Sequence, residues 1–421
     1  MAEDSKVFGM KAESGRWIFI FLGFIINICL GSVYAFSVFK KPLQDWFAKT
    51  QNVTVGSMEG NLPFMIFLAF FALLMFFGGR VLDRLGPRKL GIVGGILVGL
   101  GWLLAGVLPN VWPSIWAVVL TYGVIGGAGV GLAYGGPIAV AARWFPDKKG
   151  LAVGLTLAGF GGSPFISANV ASALIKSSGP LFTFLSMGIA FLIIVILLSL
   201  PLKFPVAGWK PAGWTPKASA VGAAAELNTS QMMKTGTFWG LFLSYTIGCL
   251  AGLMAIGISS PVGTEVIKID AATAAVLVGV FAIFNGIGRP VFGWLTDRIT
   301  PRWAAVVSLA VILVAALAML QAGQGTTALY IACFCGLWLC LGGWLAIAPT
   351  STTTFFGATH YARNYGVVFF AYGIGALLGG LISGLAKDMF GDYSKAFIIT
   401  AALAFVAILL SVFLLKPPKK A

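Results

Sequence analysis

Arg289 is the residue with the most conspicuous chemistry. It lies in NGIGRPVFGWLTDR (285–298), near the end of an apolar run that opens at Ala271. All 13 acidic residues fall in the chain ends, in loops or at the ends of apolar runs, so none sits mid-run to pair with it. Asp297 marks the end of the run, and eight residues at about 1.5 Å each place Arg289 roughly 12 Å inside it. An ionised group at such a depth costs about 2.5–3.5 kcal/mol on insertion scales. A guanidinium does not escape by shedding its proton, so something must solvate it. Backbone carbonyls would make it a structural arginine. An anion from outside would make it part of a pathway, which is what intramembrane charges generally mark. A carboxylate suits the role, because it accepts two parallel N–H bonds from the guanidinium fork. By helical spacing and depth, Asn27, Leu30, Tyr122 and Trp344 face the same region. An ordinary packing role is an equal alternative for each. Tyrosines suit a small-acid pocket, offering an apolar wall and one hydroxyl.

The elements that must hold this arginine follow from composition. The chain has 421 residues, 59% hydrophobic and 10% charged, against roughly 25% charged in soluble domains. Apolar runs long enough to cross a bilayer core of about 30 Å follow one another: 17–39, 60–79, 89–108, 112–141, 150–175, 180–201, 236–259, 271–296, 303–322, 326–349, 362–386 and 391–415. Unbroken runs satisfy their backbone as helices, whereas barrel strands would alternate with period two. The expectation is an all-α membrane protein of twelve spans. The first run has no small-residue cleavage site after it and reads as a retained span. The polar stretch 202–235 reads as a linker lying over one membrane face, between a first half (1–201) and a second (236–421).

Counted along these spans, twenty basic residues fall on one side and seven on the other, with Arg289 apart. The positive-inside rule then puts both termini and the linker in the cytoplasm. The net charge of +15 is spread between spans and forms no cluster with interleaved aromatics, which argues against nucleic acid. Cys29, Cys249, Cys333, Cys335 and Cys340 lie in apolar runs and read as small core residues. No metal-ligand spacing, cofactor motif or nucleophile–base set is visible, so neither a metal site, a cofactor nor an enzyme is expected.

The chain repeats itself. GGRVLDRLGPRK (78–89) follows the second run and FGWLTDRITPRW (292–303) the eighth. Gly79, Asp83, Arg84 and Arg88 in the first match Gly293, Asp297, Arg298 and Arg302 in the second. Two six-span halves joined by a linker fit a rocking carrier with its substrate site between the halves. Glycines step by four at Gly91, Gly95 and Gly99, and at Gly123, Gly127, Gly131 and Gly135, which favours close helix approach. Pro137, Pro164, Pro261, Pro290 and Pro349 are expected to kink their spans.

The loop G-x-x-x-D-R-x-G-x-R resembles the signature of the major facilitator superfamily. RWFPDKKG (143–150), YGGP (134–137), FNGIGRP (284–290) and ARNYG (362–366) are similar to its oxalate:formate antiporter and monocarboxylate transporter branch. The resemblance implies that Arg289 holds a substrate carboxylate. It implies that Tyr34, Tyr134 and Phe369 line the site, and that the aspartate loops pair with arginines across the halves when the cytoplasmic side is shut. Two departures bear on specificity. Asn285 stands where proton-coupled members carry an aspartate. Tyr372 stands where the oxalate antiporter carries a second cation, so a dicarboxylate would be under-neutralised. The expected function is therefore transport of a small monocarboxylate such as lactate, pyruvate, acetate or formate. It would proceed by alternating access, as proton-coupled symport, in a bacterial-type inner membrane, by a monomer embedded in lipid. The alternatives are an exchanger (antiport) and, further off, a non-transporting sensor or channel on the same fold.

Overall fold

The computed structural model describes residues 6–206, 209–211, 226–357 and 359–418. A short hairpin, β1 (Lys6–Val7) with β2 (Met10–Lys11), leads into α1 (Ala12–Gly31) and α2 (Ser37–Gln51). Next come α3 (Ser57–Val107), the short α4 (Ile115–Val118), a π-helical stretch Val119–Gly126, α5 (Gly127–Trp144) and α6 (Lys149–Ser199). Beyond the linker lie α7 (Thr229–Met233), α8 (Gly236–Pro261) and α9 (Ala271–Met319). The chain ends with α10 (Thr327–Phe356), α11 (Tyr361–Val368), α12 (Phe370–Phe390) and α13 (Ser394–Leu414).

Among the described residues ten helical stretches are long and apolar enough to cross a membrane, and two of these run 49 residues. Each of the two is a pair of crossings, broken at Gly179 (φ 81°) in α6 and at Thr300 (φ 80°) in α9. Twelve crossings result. The same device separates the two crossings of α3, at Gly86 (φ 78°). All three breaks precede a proline: Pro87, Pro180 and Pro301. Proline disfavours helical backbone in the residue before it, and its fixed φ then starts the next helix. Thr300 holds a backbone region that is nearly glycine-only, at a cost of order 1–3 kcal/mol. The repeated loops are thus single-residue helix reversals, L-G-P-R in one copy and I-T-P-R in the other.

The glycine steps pack as expected for most of their length. A Cβ at Gly91, Gly95 or Gly99 would meet Ser199, Val195 or Leu192 at 2.8 Å or closer, on the second crossing of α6. Gly123, Gly127 and Gly131 face the first crossing of α3, whereas Gly135 faces nothing within 4 Å. Two seams join the first six crossings to the last six, α3 against α12 and α6 against α9.

The linker is only partly a loop. Asn228 and Gln231 form a reciprocal cap that starts α7. Leu227 N–H donates to Phe356 O, and Trp209 packs edge-on against Trp144. Residues 207–208 and 212–225, which include Pro216 and Lys217, lie outside the described residues.

Candidate functional site

The site is built where the two seams pass each other. Asn285 and Arg289 are one turn apart on α9 and therefore share a face. Arg289 is 8% exposed and Asn285 wholly buried. Arg289 Nη1 donates to the carbonyl of Leu157 on α6, across the seam. Its Nε and Nη2 have no hydrogen-bond partner. Asn285 Nδ2 donates to Trp338 O on α10 at 3.1 Å, and its Oδ1 has no partner. One turn beyond Leu157, a Cβ at Gly161 would lie 2.8 Å from Asn285 Oδ1 and 3.4 Å from Arg289 Nη2. Only a glycine leaves that space open. So among the described residues the arginine has one main-chain oxygen, two open nitrogens and no counterion.

A polar pair crosses the other seam. Tyr34, in the 3-10 turn after α1, and Tyr372 of α12 share a hydrogen bond of 2.6 Å between hydroxyls, and both are fully buried. Arg289 lies within electrostatic reach of the Tyr34 and Tyr134 hydroxyls. Phe369 stacks on Tyr372 at 5.1 Å. Tyr134 sits edge-on to Phe71 and Phe160, both at 5.1 Å. Leu30, one turn before Tyr34, is fully buried. Asn27 bonds back to Gly23 O at 2.8 Å, and its Oδ1 has no partner. Arg289, Asn285, Tyr34, Tyr134, Phe369 and Tyr372 are thus gathered in one region, with Asn27 and Leu30 on the adjoining helix.

Two expected residues lie elsewhere. Tyr122 is enclosed by Phe36, Phe67, Trp102 and Phe184, with centroids 4.7–5.5 Å away. The π-helical stretch that carries it turns it into the first-half bundle. Trp344 stacks on Tyr245 at 5.8 Å, against α8. The α10 aromatic beside the site is Trp338, whose Nε1 donates to Ser259 Oγ at 3.1 Å and whose ring meets Tyr34 edge-on at 6.3 Å. Six residues are not a whole number of turns, so Trp338 and Trp344 face differently. Phe71, Phe160, Trp338, Leu157 and Gly161 were not singled out by sequence. None has a charge or motif to reveal it.

Among the described residues the repeated loops show no ion pair between the halves. Asp297 is exposed and has no ion pair among the described residues. The Asp83 side chain lies outside the described residues. Arg298 and Arg302 lie over Trp294 and Trp303 at 5.6 and 5.1 Å. Arg84 and Arg88 are exposed, and Gly79 and Gly293 stand in open or loosely packed surroundings. The RWFPDKKG stretch has a structural task. Asp147 takes a two-pronged bond from Arg16, 2.6 Å to Oδ1 and 2.8 Å to Oδ2. That bond holds the Asp147 carboxyl below its usual range.

Twelve apolar crossings, an internal repeat and a buried unpaired cation on the seam define a multi-pass membrane transporter rather than an enzyme. The family model of the Major Facilitator Superfamily matches residues 15–349 and 241–421. The chain belongs to the Major Facilitator Superfamily. It is 29% identical over 422 residues to an oxalate:formate antiporter of Oxalobacter formigenes, covering 96% of this chain and 94% of that one. It is also 29% identical over 334 residues to monocarboxylate transporter 13 of Rattus norvegicus, covering 77% and 72%. In fold it matches a bacterial homologue of the human lysosomal transporter Spinster, crystallised inward-facing and occupied. There the TM-score is 0.70 with 16% identity, over 94% of this chain and 96% of that one.

Proposed function

We propose that this protein is a secondary carrier of small monocarboxylates of the lactate, pyruvate, acetate and formate class, working by alternating access between its two halves. The observation that carries the reading is Arg289, buried on the seam with Nε and Nη2 unpartnered. A carboxylate would accept two charge-assisted bonds from that edge, and the aromatic wall around Tyr34 and Tyr372 would take its short apolar tail. With Tyr372 in place of a second cation, one negative charge is balanced and two are not. The positive-inside count supports cytoplasmic termini in a bacterial-type inner membrane; the working unit we propose is the monomer.

Proton symport is the coupling we favour, and exchange is the second reading. The similarity to an oxalate:formate antiporter over nearly the whole chain supports the latter. Uptake under an imposed pH gradient, with and without internal substrate, separates the two. A gradient that drives uptake into empty vesicles indicates symport. Uptake that needs internal acid indicates exchange.

The test of the site is Arg289→Lys beside Arg289→Gln in proteoliposomes. Lysine keeps the charge but not the planar fork. Losing one partner of a desolvated charge pair costs about 2–5 kcal/mol, or roughly 30- to 4000-fold in affinity. Both variants should insert, fold and lose lactate uptake. Normal uptake by either overturns the assignment.

A further inference from the structure

On the side of the membrane away from the termini, polar groups of the two halves cross the seam in one tight cluster. Asp388, near the end of α12, sets both oxygens on the first turn of α3. Ser57 N–H donates to Oδ1 at 2.6 Å and Met58 N–H to Oδ2 at 2.7 Å. These are donors that a helix start leaves without intrahelical partners, and the carboxylate also meets the positive end of the helix dipole. One turn on, Asn61 Nδ2 donates to Gly380 O at 2.9 Å. The first half is thereby latched to the second.

Lys40 of α2 is buried inside this latch, 2% exposed. By sequence it counts among loop cations on this side, and the structure corrects that. Its ammonium donates to Ser57 Oγ at 2.8 Å and to Tyr393 OH at 3.4 Å, both neutral groups. The carboxylates around it are committed elsewhere. Asp388 serves the α3 backbone, Glu265 pairs with Lys387 at 2.8 Å, and Asp45 pairs with Lys41 at 2.6 Å. Among the described residues Lys40 therefore has no anion of its own, although it spans the joint between the halves. Burial draws its pKa down to about 7, against the pull of Glu265 and Asp388 and with the push of Lys387.

We propose that Lys40 is the proton-responsive residue of this latch: neutral, it lets the halves close on the side away from the termini, and protonated, it favours their parting. The direction follows from linkage. Once the halves part, water reaches Lys40 and restores the ordinary lysine value of about 10.4. The open state then binds the proton more tightly, so acid on that side favours opening and alkali favours closure. This gives pH a grip on the cycle in a chain that has Asn285 at its central site. The inference rests on the alternating-access reading.

The experiment uses the full chain in lipid nanodiscs, spin-labelled at Lys49→Cys and Lys395→Cys. Both positions are exposed, one in each half, and the five native cysteines are buried. Pulsed EPR distances are followed from about pH 5 to about pH 10, with and without lactate. The expected result is a shift from a longer to a shorter distance as pH rises from about 7, the buried value, toward about 10, the exposed one. Lys40→Met should hold the short distance throughout, and Asp388→Asn the long one. A pH response that survives in Lys40→Met overturns the proposal, and Lys40→Gln repeats the test if the methionine variant fails to insert. If lactate moves the distance in the parent while pH does not, the carrier reading stands and the latch proposal falls. If neither moves it, both fall.

Discussion

Arg289 shows what a single residue type can dictate. A guanidinium cannot neutralise itself, so burial without a carboxylate forces a search for a ligand. In the folded chain the Leu157 carbonyl answers for one nitrogen and leaves two open. Tyr372 raises the companion question of charge number. Its hydroxyl binds Tyr34 and supplies no positive charge. Tyr372→Lys should therefore let oxalate compete with lactate for the site, measured as inhibition of lactate uptake by external oxalate. A parent protein inhibited by oxalate as strongly as the variant would contradict the one-cation argument.

Among elements, the crossing of α6 over α9 matters most for the site. Gly161 permits it, because a Cβ there would lie 2.8 Å from Asn285 Oδ1 and 3.3 Å from Gly286 Cα. Gly161→Ala should push the two helices apart, misplace Asn285 and Arg289, and lower lactate affinity by about tenfold, as a 1–2 kcal/mol misfit implies. Gly162, with nothing within 4 Å, is the matched control. Equal affinities for Gly161→Ala and Gly162→Ala would show that the close approach is irrelevant to binding. The helix reversals at Gly86–Pro87 and Thr300–Pro301 were present in the sequence as an unexplained repeat. Their backbone angles show that the repeat marks matching turns in the two halves.

At the scale of the whole molecule, the side away from the termini is joined across the halves by Asp388, by Asn61 and by Lys40 through Tyr393. On the opposite side Asp297 makes no ion pair among the described residues. A carrier that opens its two sides in turn needs this asymmetry at any one moment. Within the first half, Arg16 and Asp147 tie the chain start to the α5–α6 connection. The carboxyl pKa of Asp147 is depressed in the folded state. Its stabilisation is therefore complete above the unfolded value, near 3.9, and is lost as pH falls through the folded one. Arg16→Gln should lower the melting temperature at neutral pH and flatten its acid dependence below about pH 4. An unchanged acid limb would mean that other carboxylates dominate.

The number of crossings, the internal repeat and the cation in an acid-free span could all be read from the chain alone. Each is a property of residues near one another in sequence: run length, proline before a helix, charge within an apolar stretch. The neighbours of Arg289 are a different matter. Trp338 rather than Trp344 meets the site, Tyr122 turns away, and Lys40 is buried instead of solvated. A membrane helix has faces that hydrophobicity cannot rank when lipid and protein are equally apolar. Which face meets which helix is settled by packing between segments far apart in sequence, and only the tertiary structure records it.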